Sequence, residues 1–417
     1  MNQKHCFFDL IKLFFSLNIA YHFFVAPHFS YIGLLSDFSF SNFLTSVILI
    51  FLYSQIIKNN GEFLASFLKI FFIVVTLIPL LTLFTFNALS GLFVAHWVFL
   101  FFIFIVLFNS RVVFKSIEMV PLIPSNLNLL IITFFSFLIY FLFFGFNINF
   151  DYLNLFSSSL YEGREAFDQK MGSLGVVRYF FSNFQNVFLP FLLAFGLFNK
   201  NKALTIVSIC FFIYIFFTTT FKSILFTPVL IIGIFLLNNF KKISFYNLLM
   251  KHLYKAILIF CIIDYFLIFP IFNTIFIRRI FFLPVLISEK YYIYFNENGF
   301  TFFSDLPFFD SLFANPFTYS IPKTIGSYFI YREGYMNASF LADAYSKLGL
   351  ISVVLYIILL RLVISFADSN RSNTDEFLIF SLVVIPFIAL ANSSLTTVLF
   401  SHGLLLALFV SSQIRKT

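Results

Sequence analysis

Residues 92–108 read LFVAHWVFLFFIFIVLF, and residues 129–146 read LLIITFFSFLIYFLFFGF. Neither stretch contains Asp, Glu, Lys or Arg, and neither alternates between polar and apolar residues. A segment that crosses about 30 Å of hydrocarbon needs roughly 20 apolar residues and must satisfy its own backbone hydrogen bonds, so these runs predict transmembrane helices. A β-barrel would instead need segments of about 10 residues that alternate in polarity.

The rest of the chain has the same character. Of its 417 residues, 61% are hydrophobic and 11% are charged, and the mean hydropathy is +0.98, beyond what a water-soluble domain buries. We therefore predict an all-α polytopic integral membrane protein, in which residues 1–417 form a single transmembrane domain of about twelve transmembrane helices. The predicted spans lie near residues 6–26, 38–57, 63–86, 92–109, 128–146, 176–198, 203–219, 222–238, 255–276, 340–366, 377–391 and 395–412.

The distribution of Lys and Arg predicts the orientation of these spans. With a cytoplasmic N-terminus, the cytoplasmic connections carry basic residues such as Lys58 and Lys202, whereas the short outside connections at 27–37, 87–91 and 392–394 carry none. Both termini are therefore predicted to be cytoplasmic. The formal net charge of +8 fits this topology and anionic lipid headgroups, so we expect no nucleic-acid partner.

Two predicted extracytoplasmic loops are long, the first at 147–175 and the second, larger one at 277–339. Loops of this length are usually functional. Basic residues on the translocated side oppose the usual bias and need a local reason, such as an anionic ligand. An Arg fork binds phosphate oxygens bidentately, and the loops carry, among others, Arg164, Arg278, Arg279 and Lys323.

Motifs of soluble enzymes are absent from the sequence. It has no phosphate loop ending in GK[ST], no HExxH, no CxxC and no GxSxG. Its three cysteines, Cys6, Cys210 and Cys261, occur in apolar segments without paired spacing. We therefore expect no cofactor, no metal site and no nucleotide hydrolysis by this chain.

A family resemblance rests mainly on residues 319–328, YSIPKTIGSY, and residues 334–349, GYMNASFLADAYSKLG. These resemble the large loop and following span of Wzy-type O-antigen polymerases. Residues 218–223, TTTFKS, and residues 392–403, NSSLTTVLFSHG, resemble further parts of that family. The predicted topology agrees with the family along the whole chain.

The resemblance implies a glycosyltransferase of the bacterial cell inner membrane that acts in lipopolysaccharide biosynthesis. Such a polymerase transfers a growing glycan from its undecaprenyl pyrophosphate carrier to the non-reducing end of a new lipid-linked repeat unit. Its partners would be that lipid-linked oligosaccharide, membrane lipids and a chain-length regulator of the same pathway. The family's spacing of an Arg and a Gly eleven residues later fits Arg164 and Gly175, but no second copy begins at Arg278, Arg279 or Arg332.

Three residues are predicted to be catalytic. Asp343 is the candidate base or sugar contact, and Arg278 with Arg279 is the candidate clamp on the departing pyrophosphate. The candidate substrate-binding residues are Arg164, Lys222, Tyr319, Lys323, Asn337, Tyr345 and His402.

Each of these residues also has a structural interpretation. In this interpretation, Arg278 and Arg279 anchor the chain at the lipid headgroups. Arg164 is then a loop cation that pairs with Glu162, Glu165 or Asp168. For the others, the alternatives are snorkelling for Lys222, a charge that favours a helix start for Asp343, and a packed, hydrogen-bonded side chain for His402.

Two other membrane functions compete with polymerisation. A flippase for lipid-linked oligosaccharides should carry cations in a cavity within its spans and should lack long outside loops. An O-antigen ligase is expected to have a histidine in its large loop, and no histidine occurs between residues 277 and 339. The sequence therefore favours the polymerase.

Overall fold

The computed structural model describes residues 3–58, 61–114, 126–145, 149–154, 157, 159–241, 245–306, 317–330, 334–370 and 375–413, and every regular element among them is helical. In chain order the α-helices are α1 (Gln3–Ala20), α2 (Ala26–Phe29), α3 (Phe40–Ile56), α4 (Phe63–Phe72), α5 (Ile78–Thr85), α6 (Gly91–Asn109), α7 (Asn126–Phe144), α8 (Ser159–Ser173), α9 (Val177–Asn183), α10 (Leu189–Phe198), α11 (Lys202–Thr219), α12 (Lys222–Lys241), α13 (Phe245–Tyr265), α14 (Leu283–Asn298), α15 (Ile321–Ile330), α16 (Phe340–Leu348), α17 (Leu350–Asn370), α18 (Glu376–Leu390), α19 (Leu395–Phe400) and α20 (Leu404–Gln413).

Several of these helices are long and apolar enough to cross a membrane. Among the described residues, six continuous helical segments meet that requirement: Cys6–Ile32, Phe63–Thr85, Gly91–Asn109, Val177–Phe198, Lys202–Thr219 and Leu350–Asn370. Shorter apolar helices occur at Phe40–Ile56, Asn128–Phe144, Lys222–Leu237, Glu376–Leu390 and Leu404–Gln413. The predicted all-α membrane protein is confirmed at this level. The number of twelve spans and the two outside loops stay predictions.

Proline explains why several long helices contain a wide, π-helical turn. Such turns occur at Tyr21–Val25, Ile73–Leu77, Phe184–Phe188 and Asn273–Phe282. Each ends two residues before a proline, namely Pro27, Pro79, Pro190 and Pro284. Proline lacks the N–H that would bond to the carbonyl four residues earlier, and its ring crowds that carbonyl, so the preceding turn widens while the helix continues.

Three predicted spans differ from the observed helices. The span at 340–366 is divided at Gly349, whose φ of 64° lies in the left-handed region that favours glycine. The span at 395–412 is divided between α19 and α20. The span at 255–276 ends at Tyr265, because the chain turns there and returns: the ring of Phe260 lies 5.2 Å from Phe272 and 5.4 Å from Phe276.

The chain forms two compact units. The first comprises Met1–Phe114, Tyr246–Asp368 and Ala389–Leu395. In it, α1 packs against α3 and α5, and α14 packs along α16. Large side chains such as Trp97, Tyr21 and Phe72 are almost fully buried in this unit.

The second unit comprises Lys115–Phe245, Ser369–Ile388 and Thr396–Thr417. Here α10 packs against α11 and α12, and α11 also contacts α7 and α8. The hydroxyl of Tyr140 in α7 is buried and donates to the carbonyl of Phe181, 2.6 Å away. This contact joins α7 to α9 within the second unit.

Candidate functional site

A buried ion group in the first unit contains the predicted catalytic residue Asp343. Lys347, one turn later in α16, forms ion pairs with Asp305 and with Asp343, the latter at 3.4 Å. Only 1% of the Lys347 side chain is exposed, whereas the carboxylates of Asp305 and Asp343 keep 18% and 15%. The cation is therefore enclosed, and the two acidic side chains keep a small exposed fraction.

Local sequence accounts for the position of Asp343. The hydroxyl of Ser339 caps α16 by accepting from the N–H of Ala342 at 3.4 Å, which places Asp343 in the first turn, where the helix dipole favours a negative charge. At the other end of α16, the N–H groups of Thr301 and Phe302 donate to the carbonyls of residues 346 and 347. The segment that follows α14 thus caps the C-terminus of α16 with these hydrogen bonds.

The turn that carries Asp305 has an unusual backbone. Phe302 and Phe303 have φ values of 51° and 65°, a left-handed conformation that is costly for a bulky side chain. Thr301 donates to the Asp305 carboxylate at 3.0 Å and orients it toward Lys347. Strain of this kind persists where the surroundings enforce it, often at functional sites.

The ion group lies alongside α6, one of the helices able to span a membrane. The ring of Tyr345 packs 5.6 Å from Trp97. Near the other end of α6, Arg361 in α17 donates to the carbonyl of Leu107 at 3.0 Å. Trp97 lies about 9 Å along α6 from Gly91, so the ion group sits beside the first half of an apolar helix. Ionisable groups in such surroundings are functional-site candidates by default.

The segment predicted as the second long loop contains a buried helix, α14, which supports the ion group. Its Tyr291 donates to the carbonyl of Met336 at 2.9 Å. Glu289, also in α14, accepts from the N–H of Ser90 at 2.6 Å, at the start of α6. Burial raises the pKa of Glu289, and the hydrogen bond from Ser90 opposes that rise.

The other predicted residues near the ion group divide into buried and exposed ones. Tyr345 is buried, and its hydroxyl donates to Asn296 at 2.8 Å; its role in substrate binding stays a prediction. Asn337 is exposed on the segment before α16. Lys323 lies over the exposed ring of Tyr319, 4.6 Å from its centroid, at the start of α15.

Arg278 and Arg279 lie in the wide helical turn before α14. The sequence placed them where span 255–276 meets the outside, whereas they lie on the helix that returns after Tyr265. Asp264, in the last turn of α13, caps the start of that returning helix by accepting from the N–H groups of Phe272 and Asn273 at 3.0 and 2.6 Å. Arg278 is half-buried against Phe29, whose centroid lies 4.2 Å from the guanidinium, and Arg279 is exposed.

Arg164, Lys222 and His402 belong to the second unit, whereas the ion group belongs to the first. Arg164 in α8 stacks 4.9 Å from the ring centroid of Phe221, and Lys222 follows that ring in the chain. Among the described residues, no ion pair joins Arg164 to Glu162, Glu165 or Asp168. Burial raises the pKa of Asp168, and the charge of Arg164 opposes the rise.

His402 lies in the break between α19 and α20. The hydroxyl of Ser182 donates to the carbonyl of Ser401 at 2.5 Å. Gly403, with a φ of 77°, lies so close to Asn183 that a Cβ would come within 2.6 Å of its Oδ1. This break is therefore held against α9, and His402 is partly buried there.

Two buried cations were missed by the sequence analysis. Arg361 pairs with Glu62 at 2.5 Å, and Lys69 donates to Asn109 at 2.8 Å. Both belong to predicted spans, but both are satisfied near the C-terminal end of α6. Their partners indicate a structural role.

The Asp343, Lys347 and Asp305 group has a distinctive chemical capacity. One ammonium lies between two carboxylates, so one carboxylate remains without a counter-charge of its own. Such a carboxylate can accept a proton from a hydroxyl, while the ammonium keeps both acids oriented. Spacing alone would have revealed the Asp343 and Lys347 pair, since residues four apart face each other on a helix.

The fold and this site define a helical membrane protein with a buried ion group beside a candidate span. No protein-family model, no curated protein and no solved structure matches the chain.

Proposed function

We propose that this protein is a membrane-embedded glycosyltransferase that polymerises oligosaccharide repeat units carried on undecaprenyl pyrophosphate. The observation that carries the proposal is the ion group of Asp343, Lys347 and Asp305, which occurs in and beside the stretch that resembles Wzy-type polymerases. The reaction would take place at the outer face of the bacterial inner membrane, on the side where the two long segments are predicted to lie.

In the proposed reaction, a hydroxyl oxygen of the new repeat unit attacks the anomeric carbon of the growing glycan. The bond from that carbon to the pyrophosphate oxygen breaks, and pyrophosphate leaves on its lipid. Asp343 or Asp305 accepts the hydroxyl proton, and Lys347 holds both carboxylates in place. The reaction needs no metal and no nucleotide, since the cations of this chain supply the charge that the leaving group requires.

Arg278 and Arg279 are proposed to bind that leaving pyrophosphate. Arg278 packs against Phe29, and Arg279, the next residue in the chain, is exposed. A guanidinium held by packing loses less entropy when it binds phosphate oxygens than a free one does.

Two rival functions remain as alternatives. A flippase would transport the lipid-linked units, and an O-antigen ligase would join the finished glycan to the lipopolysaccharide core. Deletion of the gene, followed by electrophoresis of surface polysaccharide, separates all three. If the protein is a polymerase, deletion should leave a lipopolysaccharide core that carries one repeat unit. If it is a flippase or a ligase, deletion should leave a lipopolysaccharide core that carries no repeat unit.

A further inference from the structure

A buried tyrosine of α17, Tyr356, belongs to the helix face that meets α16. Its side chain is only 7% exposed. Ser352, four residues earlier and therefore on the same face, donates to the carbonyl of Ala344 at 2.6 Å. Ala344 follows Asp343 in the chain. This face of α17 is thus held against the part of α16 that carries the ion group.

The carboxylates of the ion group act on two phenols. Asp343 and Asp305 both interact electrostatically with Tyr356 in α17 and with Tyr291 in α14. Burial raises the pKa of Tyr291, and the two carboxylates raise it further. Because Coulomb interactions weaken with distance, both phenols are neighbours of the carboxylate pair.

The hydroxyls of these two tyrosines differ in their partners. That of Tyr291 donates to the carbonyl of Met336 at 2.9 Å, and the buried Tyr140 and Tyr214 likewise donate to backbone carbonyls. The hydroxyl of Tyr356 makes no hydrogen bond within the described part of the chain, and its surroundings do not seal it completely. A largely buried hydroxyl without a protein partner is costly, which points to a ligand as its partner.

The ion group and Tyr356 together suit a hydroxyl better than an anion. Two carboxylates and one ammonium leave a formal negative charge, which repels a phosphate. A sugar hydroxyl both donates and accepts hydrogen bonds. It can donate to a carboxylate and accept from the phenol, whose ordinary pKa of about 10 keeps it protonated at neutral pH.

We propose that Tyr356 is an acceptor-binding residue, whose hydroxyl donates a hydrogen bond to the oxygen of the sugar hydroxyl that attacks the growing glycan. This inference rests on the proposed function and adds the acceptor half of the site to it. The attacking hydroxyl directs its proton to Asp343 or Asp305 and a lone pair to the anomeric carbon. As the new bond forms, the carboxylate takes that proton, pyrophosphate leaves on its lipid, and Tyr356 keeps its own proton.

Thermal unfolding first separates a ligand contact from a structural one. Tyr356→Phe removes only the hydroxyl, and since no protein group pairs with it, the detergent-solubilised protein should melt at the wild-type temperature. Tyr291→Phe should melt at a lower temperature, because the buried carbonyl of Met336 loses its donor. If Tyr356→Phe lowers the melting temperature as much as Tyr291→Phe does, the hydroxyl has a structural partner and the proposal is overturned.

Transfer to a simplified acceptor then tests the contact itself. The repeat unit of the cell's own surface polysaccharide, made as an octyl glycoside, can accept a glycan but has no pyrophosphate to serve as a donor. With the lipid-linked donor varied separately, Tyr356→Phe should lower kcat/KM for the octyl glycoside about tenfold and leave the KM of the donor unchanged.

The matched control for transfer is Tyr294→Phe in α14. Tyr294 has the same exposure of 7%, so the two variants remove the same group from equally buried positions. Tyr294→Phe should match the wild type. Wild-type kinetics for Tyr356→Phe, an equal loss for Tyr294→Phe, or an effect on the donor alone would overturn the proposal.

Equilibrium binding of the octyl glycoside to the purified protein keeps this inference separable from the proposed function. Binding that Tyr356→Phe weakens about tenfold, in a wild-type protein that transfers no glycan, would keep the sugar site and reject polymerisation. Transfer by the wild type that Tyr356→Phe does not change would keep polymerisation and reject the role of Tyr356. A wild-type protein that does not bind the octyl glycoside would overturn the proposal.

Discussion

The ammonium of Lys347 pairs with the carboxylate of Asp305, which lies 42 residues earlier in the chain. The pair joins the end of α16 to the strained turn after α14, and Asp343 shares the same ammonium. A buried charge that loses its partner is costly, whereas a buried pair need not add stability over apolar residues. Removal of any one member of the group should therefore be costly.

Removal of the shared cation should destabilise the protein. Lys347→Met leaves two carboxylates without a positive charge and should lower the free energy of unfolding by about 3–5 kcal/mol. Adding Asp305→Asn and Asp343→Asn should recover much of that loss. Thermal unfolding of the detergent-solubilised protein measures both effects, with Lys202→Met as an exposed control. Equal melting temperatures for Lys347→Met and Lys202→Met would show that the group is not buried as described.

A close backbone contact in the stretch that resembles the polymerases gives the next prediction. A Cβ at Gly326 in α15 would lie 1.9 Å from the carbonyl oxygen of Gly334, and the N–H of Met336 donates to Pro322 at 2.9 Å. Gly326→Ala should therefore push this segment away and cost about 1–3 kcal/mol.

The matched control for that contact is Gly233→Ala. Gly233 lies inside α12 with no heavy atom within 4 Å of a new Cβ, so alanine should be neutral or slightly stabilising there. Thermal unfolding would again compare the two variants. A Gly326→Ala protein as stable as the wild type would mean that α15 and residue 334 are not in contact.

Polymer formation should depend on the guanidinium groups of Arg164, Arg278 and Arg279 and not only on their positive charge. Arg→Lys should impair polymer formation and Arg→Ala should nearly abolish it, since loss of a contact that strengthens in the transition state costs about 2–4 kcal/mol, or about 30- to 1000-fold in rate. The measurement is the length of the polymer ladder per unit of inserted protein. If these residues only anchor the protein in the membrane, the Lys variants should behave like the wild type. The Ala variants should then lower the amount of inserted protein but not its activity. Wild-type ladders from all three Ala variants would leave these residues as anchors.

The predicted topology can be tested with reporter fusions. Fusions after Lys202 and Lys242 should report the cytoplasm, and a fusion after Tyr319 should report the outside, because Lys and Arg concentrate in the connections predicted to be cytoplasmic. Lys242 lies outside the described residues. An outside signal at Lys242 would contradict the twelve-span arrangement.

Hydrophobic runs predicted the helices well, because hydrocarbon imposes both length and apolar composition on a span. The breaks at Gly349 and at residues 401–403 were missed, since neither interrupts the hydropathy strongly. The wide turn that carries Arg278 could have been predicted, because Pro284 is visible in the sequence and proline widens the helical turn before it.

The candidate site was only partly predictable. Asp343 was identified, and Lys347 is readable from the spacing of four residues. The contribution of Asp305 depends on a fold that brings together residues 42 positions apart, which no local pattern encodes. The contact of Arg164 with Phe221 likewise depends on how α8 crosses the end of α11.

Polymerisation by the purified protein tests the central claim most directly. Wild-type protein, supplied with lipid-linked repeat units in a metal chelator, should produce a polymer ladder. Asp343→Asn and Asp305→Asn should reduce the rate, by about 100- to 10,000-fold for whichever of them is the base, while the exposed control Asp37→Asn should match the wild type. A folded wild-type protein that makes no polymer, a strict need for a divalent ion, or full activity in both Asn variants would contradict the account.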